Sequence, residues 1–248
     1  MMRLPFLSLS ICALLVFSSC GNAGKLLKAA DQALKSTSST GLTNEDAANG
    51  LKEAIIKGIE NGTGVLAQKD GFLKSPTYKI PFPAEAQKIE QALRKIGMGG
   101  QVDKVTESLN RAAELAVNEA KPVFINSIKA MSFTDALKIV TGGNNAATNY
   151  LKETTTLELT RKFSPVIQNA LDKVNATKYW GDVMTIYNKL PTSEKINPDL
   201  NAYVTGKALT ALFDQIAIEE NKIREDPARR ATEILKKVFG YADSQKNK

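Results

Sequence analysis

The sequence contains no histidine among its 248 residues, and it has only two cysteines and one tryptophan. Without histidine the chain cannot form a Ser-His-Asp or Cys-His nucleophilic system, a histidine zinc site or a histidine pH switch. The cysteines are Cys12 and Cys20, and Cys12 lies in an apolar stretch that we expect to be cleaved off. The mature chain then keeps one cysteine and forms no internal disulfide. These absences exclude most familiar hydrolase mechanisms, so we expect a protein that is not an enzyme.

The first twenty residues have the layout of a bacterial signal peptide. A short basic start, Met1-Met2-Arg3, is followed by an apolar stretch from Leu4 to Phe17 and by the small residues Ser18 and Ser19 before Cys20. An apolar run of 14 residues is too short to cross a bilayer core, which takes about 20 residues. The sequence therefore favours export and removal of residues 1–19 over permanent insertion.

Residues 17–20 resemble the lipobox of bacterial lipoproteins, in which the cysteine becomes the diacylated first residue of the mature protein. Phe17 stands where leucine is usual. The alternative is an ordinary cysteine beside a conventional cleavage site. Small residues before Cys20 and the polar Gly21-Asn22-Ala23-Gly24 after it favour an anchor and its tether. Two or three acyl chains such as palmitate on Cys20 suffice for stable membrane binding.

Gly21 bears on which membrane carries the anchor. An aspartate at this position would resemble the inner-membrane retention signal of many Gram-negative bacteria, so glycine favours the outer membrane. No acidic cluster follows Cys20 of the kind that resembles a surface-export signal. We therefore expect the domain to face the periplasm, with the cell surface as the alternative.

The chain has a net charge of +7, and the basic excess lies towards its C-terminus. There the lysines and arginines alternate with acidic residues, namely Glu225, Asp226, Glu233 and Asp243. This pattern favours a solvated helix face over a surface for a polyanion. A nucleic acid partner is not expected, because an exported protein rarely meets one and the segment has few aromatic side chains for stacking.

Apolar residues recur at helical spacing over most of the chain and predict an all-α fold. The predicted architecture is an irregular bundle of about nine helices in one domain. Residues 20–42 are assigned to a lipidated tether, 43–241 to the helical domain and 242–248 to a polar tail. A helix over about 102–130 carries an alanine-rich stripe, and Pro122 is expected to kink it.

Other helices are predicted from their start signals. Pro83 opens a helix to Gly97 that turns Ile89, Leu93 and Ile96 inward. Three further starts are predicted from a capping residue, and they are Ser132 with Asp135, Asn197 before Pro198, and Asp226 before Pro227.

One segment, residues 69–83, breaks the helical period with glycine and proline. It places four apolar side chains on a loop, namely Phe72, Tyr78, Ile80 and Phe82. The loop either covers part of the core, which is the favoured alternative, or lines a groove for a partner.

Two rows of polar residues are candidates for a site. The first lies opposite the apolar stripe of the 102–130 helix and comprises Glu107, Arg111, Glu114 and Asn118. The second comprises Glu219, Glu220, Arg224, Arg229 and Arg230. As solvated ion pairs such rows contribute only a few tenths of a kcal/mol each. If the helices lie centrally, the rows become buried and paired charges, which often mark function.

Metal and phosphate sites are not expected. A metal would need oxygen ligands alone, and the sequence has no loop of the calcium-binding EF-hand type. Gly142-Gly143 precede a predicted helix and could hold an anion, but the segment lacks the Gly-Lys-Ser/Thr ending of a P-loop. A turn between helices is the favoured interpretation, and no cofactor is predicted.

Several strings together resemble a known family. They are Asn110-Arg111-Ala112-Ala113-Glu114, the block 135–140 with Gly142, the block 147–151, and the block 219–224 with Pro227 and Arg230. Over roughly residues 44–240 the chain is similar to helical bacterial lipoproteins and exported proteins grouped only as a domain of unknown function. The resemblance implies one exported helical domain and carries over no activity or ligand. It also suggests that the polar residues around Asn110 and Glu220 meet inside the fold.

Three functions remain open from the sequence. The first is a membrane-tethered, non-enzymatic module that binds an envelope protein or other envelope component, or has a structural role. The second is a small-molecule or lipid carrier with an apolar cavity among its helices. The third and weakest is a hydrolase with two acidic residues. A flat exposed apolar patch favours the first function, a contiguous apolar cavity the second and two convergent buried carboxylates the third.

Overall fold

Seven α-helices hold most of the residues that the computed structural model describes, which are 44–173, 175–178, 180–181, 199–230, 233, 236 and 239–240. The helices are α1 (Asn44–Ala67), α2 (Gln87–Lys95), α3 (Gly99–Val117), α4 (Ala120–Ala130), α5 (Phe133–Thr141), α6 (Ala146–Lys173) and α7 (Leu200–Glu225). Short 3₁₀ turns lie at Ala84–Ala86 and Pro227–Arg229. No strand occurs in these ranges, and the predicted all-α fold is confirmed.

The count of seven is slightly below the predicted nine. The helix predicted near 178–190 and the one predicted after Pro227 fall mostly outside the described residues, as does the predicted start at Asn197 and Pro198. The signal peptide, Cys20 with its tether, and the polar tail also lie outside them. Along the described ranges, no helix combines the length and the apolar character that a membrane crossing requires.

Helix α6 is the central element, since it packs against α3, α4, α5 and α7. Seven of its eight buried residues recur every four positions, and the eighth is Thr148; the seven are Ala147, Leu151, Thr155, Leu159, Phe163, Ile167 and Leu171. An α-helix advances about 100° per residue, so a spacing of four turns the buried row by about 40° at each step. The row therefore winds around α6 and meets different neighbours along its length, which suits a helix surrounded by others.

The alanine-rich stripe predicted on the 102–130 helix lies in the core. Its three consecutive alanines, Ala112 and Ala116 on α3 and Ala120 at the start of α4, are fully buried, and α3 packs against both α6 and α7. Small side chains allow the helix axes to approach closely.

The single helix predicted over 102–130 is in fact two, because α3 ends at Val117 and α4 begins at Ala120. Pro122 lies in the first turn of α4. Proline has no N–H group, and the first N–H groups of a helix have no partner within it. A break just before Pro122 thus costs fewer hydrogen bonds than a kink within a continuous helix.

Two of the predicted start signals are confirmed. Ser132 and Asp135 form a reciprocal capping box at the start of α5. Asp226 accepts a hydrogen bond from the backbone N–H of Ala228 next to Pro227. The described part of α7 begins with Asp199 as its N-cap, whose side chain accepts a hydrogen bond from the Ala202 N–H.

The prediction that Ile96 faces inward is wrong, because its side chain is 71% exposed. Helix α2 ends at Lys95, one residue before Ile96, and Gly97 then reverses the chain in the left-handed region at φ 83°. The N–H of Gly97 donates to Arg94, and the N–H of Met98 donates to Leu93. These two bonds form a Schellman motif, the usual end of a helix before glycine.

Candidate functional site

The first polar row holds the 69–83 loop against α3. Asn110 is fully buried, and its amide pairs with both backbone groups of Ile80. Its Oδ1 accepts from the Ile80 N–H at 2.7 Å, and its Nδ2 donates to the Ile80 carbonyl at 2.8 Å. Asn110 thus supplies the pairing that a neighbouring strand would give, so the loop backbone is satisfied without a sheet.

Glu114 holds the other end of the loop. Its Oε1 accepts from the backbone N–H groups of Phe72 at 3.1 Å and Leu73 at 3.2 Å. Its Oε2 accepts from Arg111 at 2.8 Å, and Arg111 also pairs with Asp70 at 2.8 Å. We call Asp70, Asn110, Arg111 and Glu114 the loop clamp.

Electrostatics within the loop clamp favour the charged forms. Hydrogen bonds from Lys74 and Arg111 lower the pKa of Asp70, and the hydrogen bond to Glu114 raises the pKa of Arg111. Both shifts follow from opposite charges in direct contact. Asp70 was not among the predicted site residues. Its sequence context, an isolated aspartate before a glycine, carries no signal for a partner 41 positions away.

The loop covers the core, which was the favoured alternative in the sequence. Phe72, Ile80 and Phe82 are buried, and the ring of Phe82 meets Trp180 edge-on at 5.7 Å. Gly71 is required here, because a Cβ at this position would lie 2.5 Å from two carbonyl oxygens of α1. The apolar side chains of the loop are therefore part of the interior and do not line a groove.

Tyr78 is the half-buried exception in the loop. Its hydroxyl donates to Asp214 at 2.6 Å and accepts from Gln215 at 2.9 Å, both on α7. Partial burial and the Asp214 carboxylate raise the pKa of Tyr78 to about 12. The hydrogen bonds hold the neutral form of the Tyr78 phenol. The contact therefore contributes its full stabilisation at pH values below the ordinary pKa of about 10. The contribution is lost as the pH rises through 12.

We expect this contact to appear in an alkaline absorbance titration. One of the six tyrosines should ionise near pH 12, about two pH units later than an unperturbed phenol. Tyr78→Phe should remove that late step and leave the other steps in place. Far-ultraviolet circular dichroism over the same range serves as the control for folding. An unchanged late step in the folded variant would contradict the assignment.

The second polar row joins the end of α5 to the start of α6. Glu220 on α7 accepts four hydrogen bonds, two at each carboxylate oxygen. Ala147 N–H and Arg224 donate to Oε1, at 3.0 and 2.9 Å. The N–H and the hydroxyl of Thr148 donate to Oε2, at 2.9 and 2.8 Å. Glu220 thereby caps the first turn of α6, where the helix dipole favours a negative charge.

Arg224 caps the C-terminus of α5. Its guanidinium donates to the carbonyl of Ile139 at 2.8 Å and to that of Gly142 at 3.3 Å, at the C-terminus of α5. The side chains of Arg224 and Glu220 are 4% and 8% exposed. A cation at a helix C-terminus and an anion at a helix N-terminus both complement the dipoles. The buried pair therefore fixes the α5–α6 corner from α7.

Arg230 completes this group, which we call the helix clamp and define as Glu220, Arg224 and Arg230. Arg230 donates to the carbonyl of Arg224 at 2.8 Å. The guanidinium groups of Arg224 and Arg230 lie 5.6 and 5.4 Å from the centre of the Phe239 ring. This distance suits cation–π attraction, which is stronger where the cation is desolvated.

The structure does not draw all the predicted residues into one cluster. The hydrogen bonds of Asn110, Arg111 and Glu114 go to the loop, whereas those of Glu220 and Arg224 go to the α5–α6 corner. Glu219 pairs instead with Lys222 at 2.6 Å, and Arg229 lies 3.6 Å from Asp226. Sequence reasoning missed Thr148 as a partner of Glu220.

Two open spaces lie among the described residues. A cavity of about 30 Å³ beside the helix clamp is lined mainly by apolar side chains, including Leu51, Ile55, Ile216 and Phe239. A shallower groove of about 390 Å³ between α6 and α7 has mostly polar walls, including Thr160, Ser164, Gln168, Asn201 and Thr205. Within the described ranges, no three acidic or cysteine side chains converge in a way that could hold a metal ion.

A protein-family model matches one region of the chain, and this region contains both clamps. The family model described as "Protein of unknown function (DUF4197)" matches residues 41–240. No curated protein and no solved structure matches the chain. The match confirms the resemblance to a family grouped only as a domain of unknown function, over roughly the same residues. The chain therefore belongs to the DUF4197 family, a family of unknown function.

Proposed function

We propose that this protein is an exported lipoprotein that acyl chains on Cys20 hold to a membrane, and that its helical domain is a non-enzymatic binding or structural module. The outer membrane, with the domain on the periplasmic side, is the proposed location. The signal-peptide layout and the lipobox-like Phe17-Ser18-Ser19-Cys20 support the anchor. The hydrogen bonds of the clamp residues, which go to groups of this same chain, support a non-enzymatic module.

The observation that carries the non-enzymatic role is the saturation of Glu220. A carboxylate offers about four lone-pair sites, and four donors of this chain occupy them. A general acid or base must reach a substrate proton directly or through one water. Because Glu220 has no lone pair left for a substrate, its hydrogen bonds support a structural role. The two carboxylate oxygens of Glu114 likewise accept hydrogen bonds from the loop backbone and from Arg111.

A second candidate, binding of a small polar molecule, is favoured by the groove between α6 and α7. Its volume of about 390 Å³ falls within the range of about 300–1,000 Å³ that is usual for ligand pockets. Its amide and hydroxyl lining suits a polar ligand better than a lipid. The cavity beside the helix clamp, at about 30 Å³, has room for about one water molecule and not for an acyl chain.

The anchor is tested by Cys20→Ser in the full chain. We expect the unsubstituted protein to sediment with membranes and to carry an added acyl mass, and the variant to lack that mass and to become soluble after extraction. Attachment through acyl chains depends on the thiol, which serine does not supply. Intact-protein mass spectrometry and membrane fractionation give the two readouts.

Cys12→Ser is the matched control, since it changes the other cysteine within the segment that we expect to be removed. It should leave both readouts unchanged. Membrane association of the Cys20→Ser variant, together with an unmodified mass for the unsubstituted protein, would contradict the proposal. A native mass spectrum of the same soluble variant tests the second candidate, because a retained small molecule would add to the mass.

A further inference from the structure

Two apolar side chains stand exposed at the turn between α2 and α3. Ile96 is 71% exposed and Met98 is 39% exposed, and only Gly97 separates them in the chain. Helix α2 itself contains no buried residue. We call residues 94–104 the α2–α3 tip. Removal of apolar surface from water is energetically favourable, so an exposed apolar pair of this kind is a candidate contact surface.

The tip is held in one conformation. The Schellman bonds at Gly97 and Met98 fix the turn, and Arg94 bridges the two helices by binding Glu90 at 3.0 Å and Asp103 at 2.8 Å. Hydrogen bonds to Asp103 and Glu90 raise the pKa of Arg94. These contacts all lie within the chain, so the two apolar side chains are exposed at the turn without a partner.

The charges near the tip favour an anionic partner. The three carboxylates nearest the tip each have an arginine partner, since Arg94 binds Glu90 and Asp103, and Arg111 lies 3.6 Å from Glu107. Lys95 and Lys104 are exposed, and neither has an acidic partner in the part of the chain that the structure describes. The tip thus carries two exposed lysines in addition to the apolar pair, and their charges complement an anionic surface.

The small apolar area of the tip favours a membrane over a protein as the partner. A stable protein interface buries about 800 Å² on each partner, and two side chains on a single turn provide only a fraction of that area. A lipid surface needs no matching shape, since acyl and headgroup regions adapt around a small apolar group flanked by lysines.

We propose that the α2–α3 tip is a second membrane contact, in which Ile96 and Met98 enter the interface of a bilayer with anionic headgroups while Lys95 and Lys104 bind the headgroups. This inference rests on the proposed lipoprotein function. The contact is weak alone and becomes effective when the acyl anchor keeps the tip near the surface. It sets which face of the domain turns towards the membrane.

The test uses the chain from residue 20 onward with Cys20→Ser, so that no acyl chain contributes. Its partitioning is measured by cosedimentation with vesicles of phosphatidylethanolamine and about 30% phosphatidylglycerol, and with neutral phosphatidylcholine vesicles. We expect preference for the anionic vesicles, reduced on going from about 0.05 M to about 0.5 M salt. Ile96→Ser with Met98→Ser should weaken this binding about tenfold. Lys95→Gln with Lys104→Gln should weaken it by a similar factor.

Matched controls lie on other helices. Leu157→Ser replaces an apolar side chain that is 73% exposed on α6, and Lys129→Gln with Lys152→Gln removes two exposed charges on α4 and α6. Both controls should bind as the unsubstituted chain does. Thermal unfolding checks that every variant is folded, and the lysine variants provide a second readout if the apolar ones are not.

Equal binding by the tip variants and the controls would overturn the inference, as would failure of the unsubstituted chain to bind anionic vesicles. A concentration-dependent dimer in sedimentation velocity that Ile96→Ser with Met98→Ser abolishes would also overturn it, since a second copy would then cover the tip. Because the protein in this assay carries no acyl group, its failure leaves the Cys20 result intact. Absence of acylation likewise leaves the vesicle result intact.

Discussion

Arg224→Met is expected to lower the free energy of unfolding by about 3–5 kcal/mol. The substitution leaves the Glu220 carboxylate, whose side chain is 8% exposed, without its cationic partner. It also leaves the carbonyl oxygens of Ile139 and Gly142 without a donor. Urea unfolding followed by circular dichroism measures the change.

Lys222→Met is the matched control for this prediction. Lys222 lies two residues earlier on α7 and pairs with Glu219 at 2.6 Å, but its side chain is 44% exposed. The Glu219 side chain is 13% exposed, but a pair whose cation is open to solvent contributes only about 0–1 kcal/mol, so this variant should cost much less than Arg224→Met. Equal costs for the two substitutions would mean that burial does not determine the contribution of the helix clamp.

A double-mutant cycle separates the pair from its surroundings. Glu220→Gln with Arg224→Met removes both charges, so no unpaired charge stays in the interior. The double variant should therefore cost less than the sum of the two single variants, by about 1–3 kcal/mol. Additive costs would indicate that the two side chains act independently, through their separate helix caps.

Asn110→Leu is expected to cost about 2–6 kcal/mol, because it leaves both backbone groups of Ile80 buried without a partner, at about 1–3 kcal/mol each. Leucine has the same number of side-chain heavy atoms with the same branching at Cγ, so no large cavity forms and the loss reports mainly on hydrogen bonds. The effect should also be local. Amide hydrogen exchange should accelerate over residues 70–82 more than in α6.

Asn118→Leu makes the same change on the exposed end of α3. Its amide donates only to carbonyls of its own helix, at 3.2 and 3.3 Å. A change of less than about 0.5 kcal/mol is expected, as for most surface positions. Unaltered exchange at Ile80 in Asn110→Leu would show that another group holds the loop.

Local signals in the sequence predicted much of the fold. The capping box at Ser132 and Asp135 depends on residues three positions apart, and the structure contains it. The alanine stripe on α3 follows from helical spacing alone, and its residues are buried as predicted. The break before Pro122 was predicted only as a kink, because the sequence does not say which hydrogen bond the chain gives up.

The candidate site was less predictable, because its partners are distant in the chain. The spacing of Glu220 and Arg224 predicted an ordinary ion pair four residues apart, whereas their burial depends on the α5–α6 corner. Ile96 fitted the apolar stripe of α2, but the helix ends one residue earlier and the stripe no longer applies. Contacts of this kind are set by how helices pack, which local patterns do not encode.

The position of the helix clamp in the chain bears on when the protein can finish folding. Glu220 and Arg224 lie 72 to 85 positions after the backbone groups that they hold. The α5–α6 corner therefore stays incomplete until almost the entire polypeptide is available. A chain that emerges gradually from a ribosome cannot close this corner early. Such a delay is consistent with the export proposed above, in which the polypeptide would cross a membrane before it folds.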